Sequence, residues 1–308
     1  MSNPRVLAVI VNWNGRDVLP RMVASLQGQD YHELQPILVD NASSDGSCDW
    51  VAKQYPDFHI IRNKTNLGFA GGGNTGIQEA LKRDADYVLL ANNDVILEKD
   101  TVRQLVGEIS SDPQIGLVGP SVWRADNPEL LDSAYGVICF NHVIVKTLGI
   151  SRANGRGFLA PKDVQCLFGS ILLIRADVFG RCGLLDEAFW MFLEEVDFCY
   201  RAGQNGLRVR YFPLARVYHY GGYSIKQAHA GLFKTYLVRR NAVLFLKKHG
   251  DFIHWCKFLL WVALSLTAQF FNAVFRLRWA LFRERWTGYR DGFRGSNLPQ
   301  KVLRRVRN

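Results

Sequence analysis

No two cysteines of this sequence stand in C-x-x-C spacing. The six present, Cys48, Cys139, Cys166, Cys182, Cys199 and Cys256, are scattered along the chain. That scatter argues against a structural zinc site and against a disulfide framework, and the cysteines read as ordinary thiols in a reducing compartment. No basic stretch followed by an apolar core and a small-residue cleavage site opens the chain. Met1-Ser2-Asn3-Pro4-Arg5 runs straight into an apolar segment, so a cytosolic protein is expected. Low-complexity tracts and repeats of solenoid period are missing too, which excludes disordered and repeat architectures. Acids are scarce in one region only. From Lys234 onward there are sixteen Lys/Arg and three acids (Asp251, Glu284, Asp291), against 22 and 25 in the preceding part. A basic, aromatic tail on a near-neutral body suggests an anionic partner, membrane or nucleic acid, with a solvated basic face as the plain alternative.

What is present is 308 residues, enough for one large α/β domain and a smaller C-terminal element. Residues 6–13 (VLAVIVNW) form a continuous β-branched apolar run, the pattern of a buried parallel strand. A turn at Asn14-Gly15 precedes a helical face of Val18, Leu19, Met22, Val23 and Leu26. Strands are predicted at 36–40, 58–62 and 86–91, a short helix at 49–54, and a glycine-rich helix opening at Gly68. This alternation implies βαβ units and a mostly parallel sheet. After about Pro120 the pattern shortens, with a helix predicted over 194–203 and a strand over 207–211.

Ligands of such sheets sit at the carboxyl ends of the strands. The polar clusters fall there: Asn12-Trp13-Asn14, Asp40-Asn41 and Asn92-Asn93-Asp94. Three clusters at three strand ends point to one composite site. Asn92-Asn93-Asp94 offers the oxygen ligands a hard divalent cation needs, although the same trio is good turn chemistry. Glu194-Glu195 and Asp197 crowd three carboxylates at a helix start. They serve either the helix dipole or a general base whose proton affinity a neighbouring acid raises. His219, followed by Gly221-Gly222, combines a metal-competent imidazole with a backbone able to approach a phosphate. Gly71–Gly76 matches G-x-G-x-x-G, but residues 63–70 separate it from the preceding strand, unlike a dinucleotide fingerprint.

Five ordered blocks, VIVNWNG (9–15), VDNASSDGS (39–47), NLGFAGGGNTGI (66–77), NNDV (92–95) and LLDEAFWMFLEEVDFCYRAGQNGL (184–207), with HYGGYS at 219–224, resemble glycosyltransferase family 2, in particular its rhamnosyltransferase-like branch. The resemblance implies an α/β GT-A fold, a Rossmann-like, mostly parallel sheet with helices on both faces. It also implies inverting displacement of a nucleotide-diphosphate sugar, with dTDP-L-rhamnose the favoured donor, onto a lipid-linked or polysaccharide acceptor. By the same resemblance Asn12, Trp13, Asn14, Asp40, Asn41, Asn66, Gly68, Asn74, Asn92 and Asn93 contact the nucleotide sugar. Asp94 matches the last acid of the D-x-D metal motif for Mg²⁺ or Mn²⁺, with Asn92 replacing its first acid and His219 a second protein ligand. Glu195 matches the catalytic base, with Glu194 and Asp197 competing for that role, and Asp186-Glu187 resembles the family's D-E pair. An inactive family member serving as a membrane-bound scaffold is the alternative; no nucleic-acid motif supports a nucleic-acid binder.

The expected organisation is a catalytic domain over 1–240, with nucleotide-sugar and acceptor halves meeting near 120, and a basic amphipathic helical tail over 241–308. In that tail, 258–275 is eighteen residues without a charge, and RLRWALFRERW alternates Arg with Trp, Leu and Phe. This favours peripheral attachment to the cytoplasmic face of a membrane over a span, with a homodimer interface as the other reading.

Overall fold

The computed structural model describes residues 3–221, 230–276 and 279–295. Gly222, Tyr223 and Ser224 of the HYGGYS block, and Arg278 of the tail, lie outside the described residues. Two compact units are present, one holding the chain to 137, 147–190 and 194–221, the other 138–146, 191–193 and the chain from 230 onward.

The strands are β1 (Val6–Asn12), β2 (Leu34–Asp40), β3 (His59–Arg62), β4 (Tyr87–Asn92), β5 (Val95–Leu97), β6 (Ile115–Arg124), β7 (Leu131–Ser133), β8 (Tyr135–Ile138), β9 (Val145–Leu148), β10 (Lys162–Asp163), β11 (Ile171–Arg175) and β12 (Arg208–His219). The helices are α1 (Leu19–Gln27), α2 (Ser47–Gln54), α3 (Gly68–Lys82), α4 (Thr101–Ser110), α5 (Ala176–Cys182), α6 (Glu194–Gln204), α7 (Ala230–His249), α8 (Phe252–Arg276) and α9 (Trp279–Arg294). The main sheet runs β10-β12-β6-β11-β4-β1-β2-β3, with β5 on β12 and β7 on β6. Every residue of β1 is buried, as its unbroken apolar run requires of a strand covered on both faces. It pairs in parallel with β2 and β4, in a register that sets Asn12 opposite Asp40 and Val11 opposite Asn92. That register brings the polar strand ends level.

The glycine-rich α3 packs over this parallel core. A Cβ on Gly76 would come within 2.2 Å of Val9 Cγ1, so this glycine permits close helix–sheet approach. Beyond β4 the sheet is mixed: β11 runs antiparallel to both β4 and β6, and β12 is parallel to β6. The strand expected over 207–211 continues to His219, which pairs with Val95 of β5. His219 thereby lies beside Asp94.

The second unit is helical. Trp255 meets Phe293 with ring centroids 6.0 Å apart, and Phe270 meets Phe282 at 5.8 Å, so α8 and α9 run antiparallel. The unit includes α7, so it starts ahead of residue 241.

Candidate active site

Hydrogen bonds join the three strand ends. Asn12, fully buried, donates from Nδ2 to Asp40 Oδ1 (3.1 Å), Ser43 Oγ (3.2 Å) and Ser47 Oγ (2.9 Å). Its Oδ1 accepts from Asn93 Nδ2 at 2.8 Å. Asn14 adopts φ 49°, donates its N–H to Ser43 Oγ (2.9 Å) and accepts from Ser44 N–H (2.9 Å). The sequence marks Gly15 only as part of a turn, yet a Cβ there would fall 2.4 Å from Asn12 Oδ1 and 2.2 Å from Asn93 Nδ2. Only glycine lets the turn pass over that bond.

Asn41 donates to Gly68 O (2.8 Å) and accepts from Asn63 Nδ2 (2.8 Å), while Asn66 Oδ1 accepts from Gly68 N–H (2.8 Å). These residues shape the loop between β3 and α3. Trp13, between Asn12 and Asn14, is half-buried, and Asn92 is half-buried at the end of β4. Asn74 is placed differently from the strand-end set. Its amide is buried and spans Leu185 O (2.9 Å), Leu185 N–H (3.0 Å) and Glu187 Oε1 (2.9 Å), so it ties α3 to the segment carrying Asp186-Glu187. Its hydrogen-bonding groups are used by the protein.

Asp94 Oδ1 and His219 Nε2 are both buried and stand 3.3 Å apart. On its other side His219 Nδ1 lies 2.9 Å from Asp132 Oδ2. Burial opposes a proton on His219, but Asp132 and Asp94 outweigh it and push the imidazole up to about 10. Two carboxylates around one imidazole make a site that favours positive charge, supplied here by the ring itself. Among the described residues no three His, Cys, Asp or Glu side chains converge into a self-sufficient metal cage. One carboxylate and one imidazole, with an outer carboxylate orienting the ring, fit an ion that completes its coordination with diphosphate oxygens and water. Asp132 carried no motif and could be found only through the fold.

The three acids of α6 separate clearly. Asp197 is fully buried and its Oδ2 accepts from Arg201 Nε at 2.7 Å, an i,i+4 pair. Arg201 also donates to Leu184 O and Cys182 O. Asp197 is therefore engaged by Arg201 and anchors the first turns of α6. Glu194 is buried as well, and burial, then the adjacent Glu195, hold its carboxyl well above the ordinary range. Glu195 alone keeps partial exposure. A Cβ on Gly169 would touch its Cβ and Cγ at 3.6 Å, and the next residue, Ser170, accepts the Asn92 N–H at 3.0 Å. Glu195 thus lies close to the end of β4.

The turn entering α6 is strained. Trp190, Phe192 and Leu193 all have φ between 64° and 71° without being glycine. Such residues cost of order 1–3 kcal/mol each and persist only where the surroundings over-determine them. Asn241 of α7 does so here, donating to Met191 O (2.9 Å) and Phe192 O (2.8 Å).

Amides and carboxylates thus gather at the strand ends of a mixed α/β sheet, where ligands of such sheets bind. The family model "Glycosyl transferase family 2" matches residues 7–182, and the chain belongs to this family; it is a glycosyltransferase by class. Among curated relatives, it is 26% identical over 202 residues to the low-salt glycan biosynthesis hexosyltransferase Agl10 of Haloferax volcanii, covering 65% of this chain and 62% of that protein. It is 27% identical over 233 residues to the N-acetylglucosaminyl-diphospho-decaprenol L-rhamnosyltransferase of Mycobacterium tuberculosis, covering 70% and 76%. The mannosyltransferase PcManGT of Pyrobaculum calidifontis, solved with GDP-Man and Mn²⁺, shares the fold at TM-score 0.56 and 15% identity, over 95% of this chain and 88% of that one.

Proposed function

We propose that this glycosyltransferase inverts the anomeric centre of a nucleotide-diphosphate sugar, with dTDP-L-rhamnose the best-fitting donor, and transfers the sugar to a hydroxyl of a lipid-linked acceptor. The observation that carries the reading is the gathering of Asn12, Asp40, Asn93 and the Asp94–His219–Asp132 cluster at the strand ends of the sheet, with Glu195 beside the end of β4. Rhamnosyl transfer to a diphospho-lipid in the mycobacterial relative supports the choice of donor and acceptor.

Asp40 and the Asn12–Asn14 turn would bind and orient the nucleotide. Asp94 and His219 would hold a divalent cation, Mg²⁺ or Mn²⁺, with Asp132 fixing the imidazole. When bound, that ion neutralises charge building on the leaving diphosphate. Glu195 takes the proton of the acceptor hydroxyl as its oxygen bonds to the anomeric carbon and the bond to the diphosphate oxygen breaks. The reading is tested by thermal shift with a panel of nucleotide sugars and Mn²⁺ or Mg²⁺. The cognate donor raises Tm by mass action. A panel in which nothing stabilises the chain or is consumed refutes the assignment.

The tail supports attachment to a membrane in its plane. Among the described residues one helix, α8, is long and apolar enough to cross a membrane, and 17% of its apolar window is buried. Yet α9, antiparallel to it, carries Arg283, Glu284, Arg285, Arg290, Asp291 and Arg294, and a span would draw these charges into hydrocarbon. The exposed stripe of α9 reads Trp279, Arg283, Trp286, Arg290, Phe293, an aromatic and basic face suited to a headgroup layer. The intact chain should float with vesicles containing phosphatidylglycerol and be released by high salt. A chain that stays off such vesicles at low salt overturns this part.

A further inference from the structure

We propose that Arg239, Arg285 and His142 form a binding site for the phosphate group of a lipid amphiphile. The site lies wholly within the helical unit. Arg239 of α7 donates from Nη1 to His142 O at 2.6 Å, and its guanidinium sits 5.8 Å from the ring centre of Tyr289. Arg285 stands one turn ahead of Tyr289 on α9. The His142 ring stacks on Trp261 of α8 with centroids 5.7 Å apart. Three helices and the 138–146 segment thus bring two guanidiniums and an imidazole together.

The two guanidiniums lack an anionic partner. Among the described residues neither Arg239 nor Arg285 pairs with a carboxylate. Arg285 Nε and His142 Nδ1 are buried with no hydrogen-bond partner. Burial, then Arg239, lowers the proton affinity of Arg285 below its usual value; burial and both guanidiniums do the same to His142. A neutral imidazole can still donate from a ring nitrogen, and an arginine fork matches phosphate geometry. A cleft of about 190 Å³ opens beside Arg285, lined also by Gln269, Asn272, Ala273, Leu281 and Phe282. An anion in that cleft would meet Arg285 and offset its repulsion with Arg239.

The neighbouring surface says what the phosphate is attached to. Trp261 is 43% exposed, and Leu260, Leu264 and Phe271 are exposed on the same helix. Charge beside an uncovered apolar face fits a phosphorylated lipid better than a free ion. The proposal rests on the lipid-linked acceptor and membrane reading above. Its phosphate comes either from the acceptor's own diphosphate or from a phospholipid headgroup.

The test uses the full-length protein with its donor site filled by the stabilising nucleoside diphosphate and Mn²⁺. Farnesyl diphosphate, farnesol and inorganic pyrophosphate are titrated by calorimetry, and vesicles with and without phosphatidylglycerol by flotation. Farnesyl diphosphate is expected to bind at least tenfold more tightly than farnesol or pyrophosphate, and Arg285→Gln to remove that tenfold. If Arg285→Gln keeps prenyl-diphosphate affinity but loses vesicle binding tenfold, the site takes a headgroup. Arg239→Gln is the second variant should Arg285→Gln fold poorly. Unchanged binding of both the prenyl diphosphate and the vesicles by folded variants overturns the site. The glycosyltransferase reading is judged independently, by whether any nucleotide sugar stabilises the chain.

Discussion

Glu195→Gln is expected to lower kcat by about 10²–10⁴ while donor affinity stays within a few-fold, because the amide keeps the shape of the side chain and loses only its basicity. Glu194→Gln is the informative companion. Glu194 is buried and holds its proton unusually tightly, so glutamine copies the state it already favours. Its activity should stay close to wild type. Its stability should change with pH in a defined direction. A carboxyl whose folded pKa is raised contributes fully below its unfolded value, and that contribution is lost as pH rises toward the folded value. Wild type therefore loses stability above about pH 4.5 relative to Glu194→Gln, and the variant's Tm advantage should grow from pH 5 to pH 8. Wild-type turnover in Glu195→Gln, measured with the cognate donor and acceptor, removes Glu195 as the base. A Glu194→Gln variant as inactive as Glu195→Gln shows that the pair works as a unit.

Asp94→Asn should cost about 10³ or more in kcat, in the range of lost charge stabilisation at a leaving group, and should weaken the Mn²⁺-dependent part of donor binding. EDTA should silence wild type and leave little further to lose in the variant. Because Asp94 also meets His219, the substitution has a second readout besides turnover. His219 would keep one carboxylate partner, Asp132, and its imidazole pKa, followed by NMR, should fall from about 10. Full activity of Asp94→Asn, or of wild type in EDTA, contradicts the metal assignment.

The parallel half of the fold was legible because β1, β4 and the second half of β2 are buried and spell out that burial as apolar runs, VLAVIV, YVLLA and ILV. The mixed half was not. β6 contains Pro120 and β12 contains Pro213, residues that read as breaks in a strand. In the structure they fall where the ladder between the two strands slips, with Phe212 opposite Pro120 and Arg216 opposite Ser121. A local reading sees the proline; only the pairing reveals the irregularity that accommodates it. The site divides in the same way. Asn12, Asp40, Asn93, Asp94 and Glu195 sit at strand ends or a helix start that the pattern marks. Asp132 and Asn241 act through partners 87 and 49–50 residues away, and nothing near them in sequence announces it. Asp197 and Asn74 stand inside motifs whose polar residues suggest contact with a ligand, and the structure shows both hydrogen-bonded to the protein as well.

The turn at residues 190–193 changes how the C-terminal helices should be understood. Its conformation is not written in its own residues, since Trp190, Phe192 and Leu193 all resist it. Part of what holds it comes from Asn241, which lies beyond the last block of family motifs. The chain from 230 onward is therefore not freely interchangeable between relatives. A graft that swaps residues from 230 onward exchanges a restraint on the residues leading into the acids of α6. A graft made after Lys248 leaves that restraint in place, so a seam that spares the turn falls inside the helical unit.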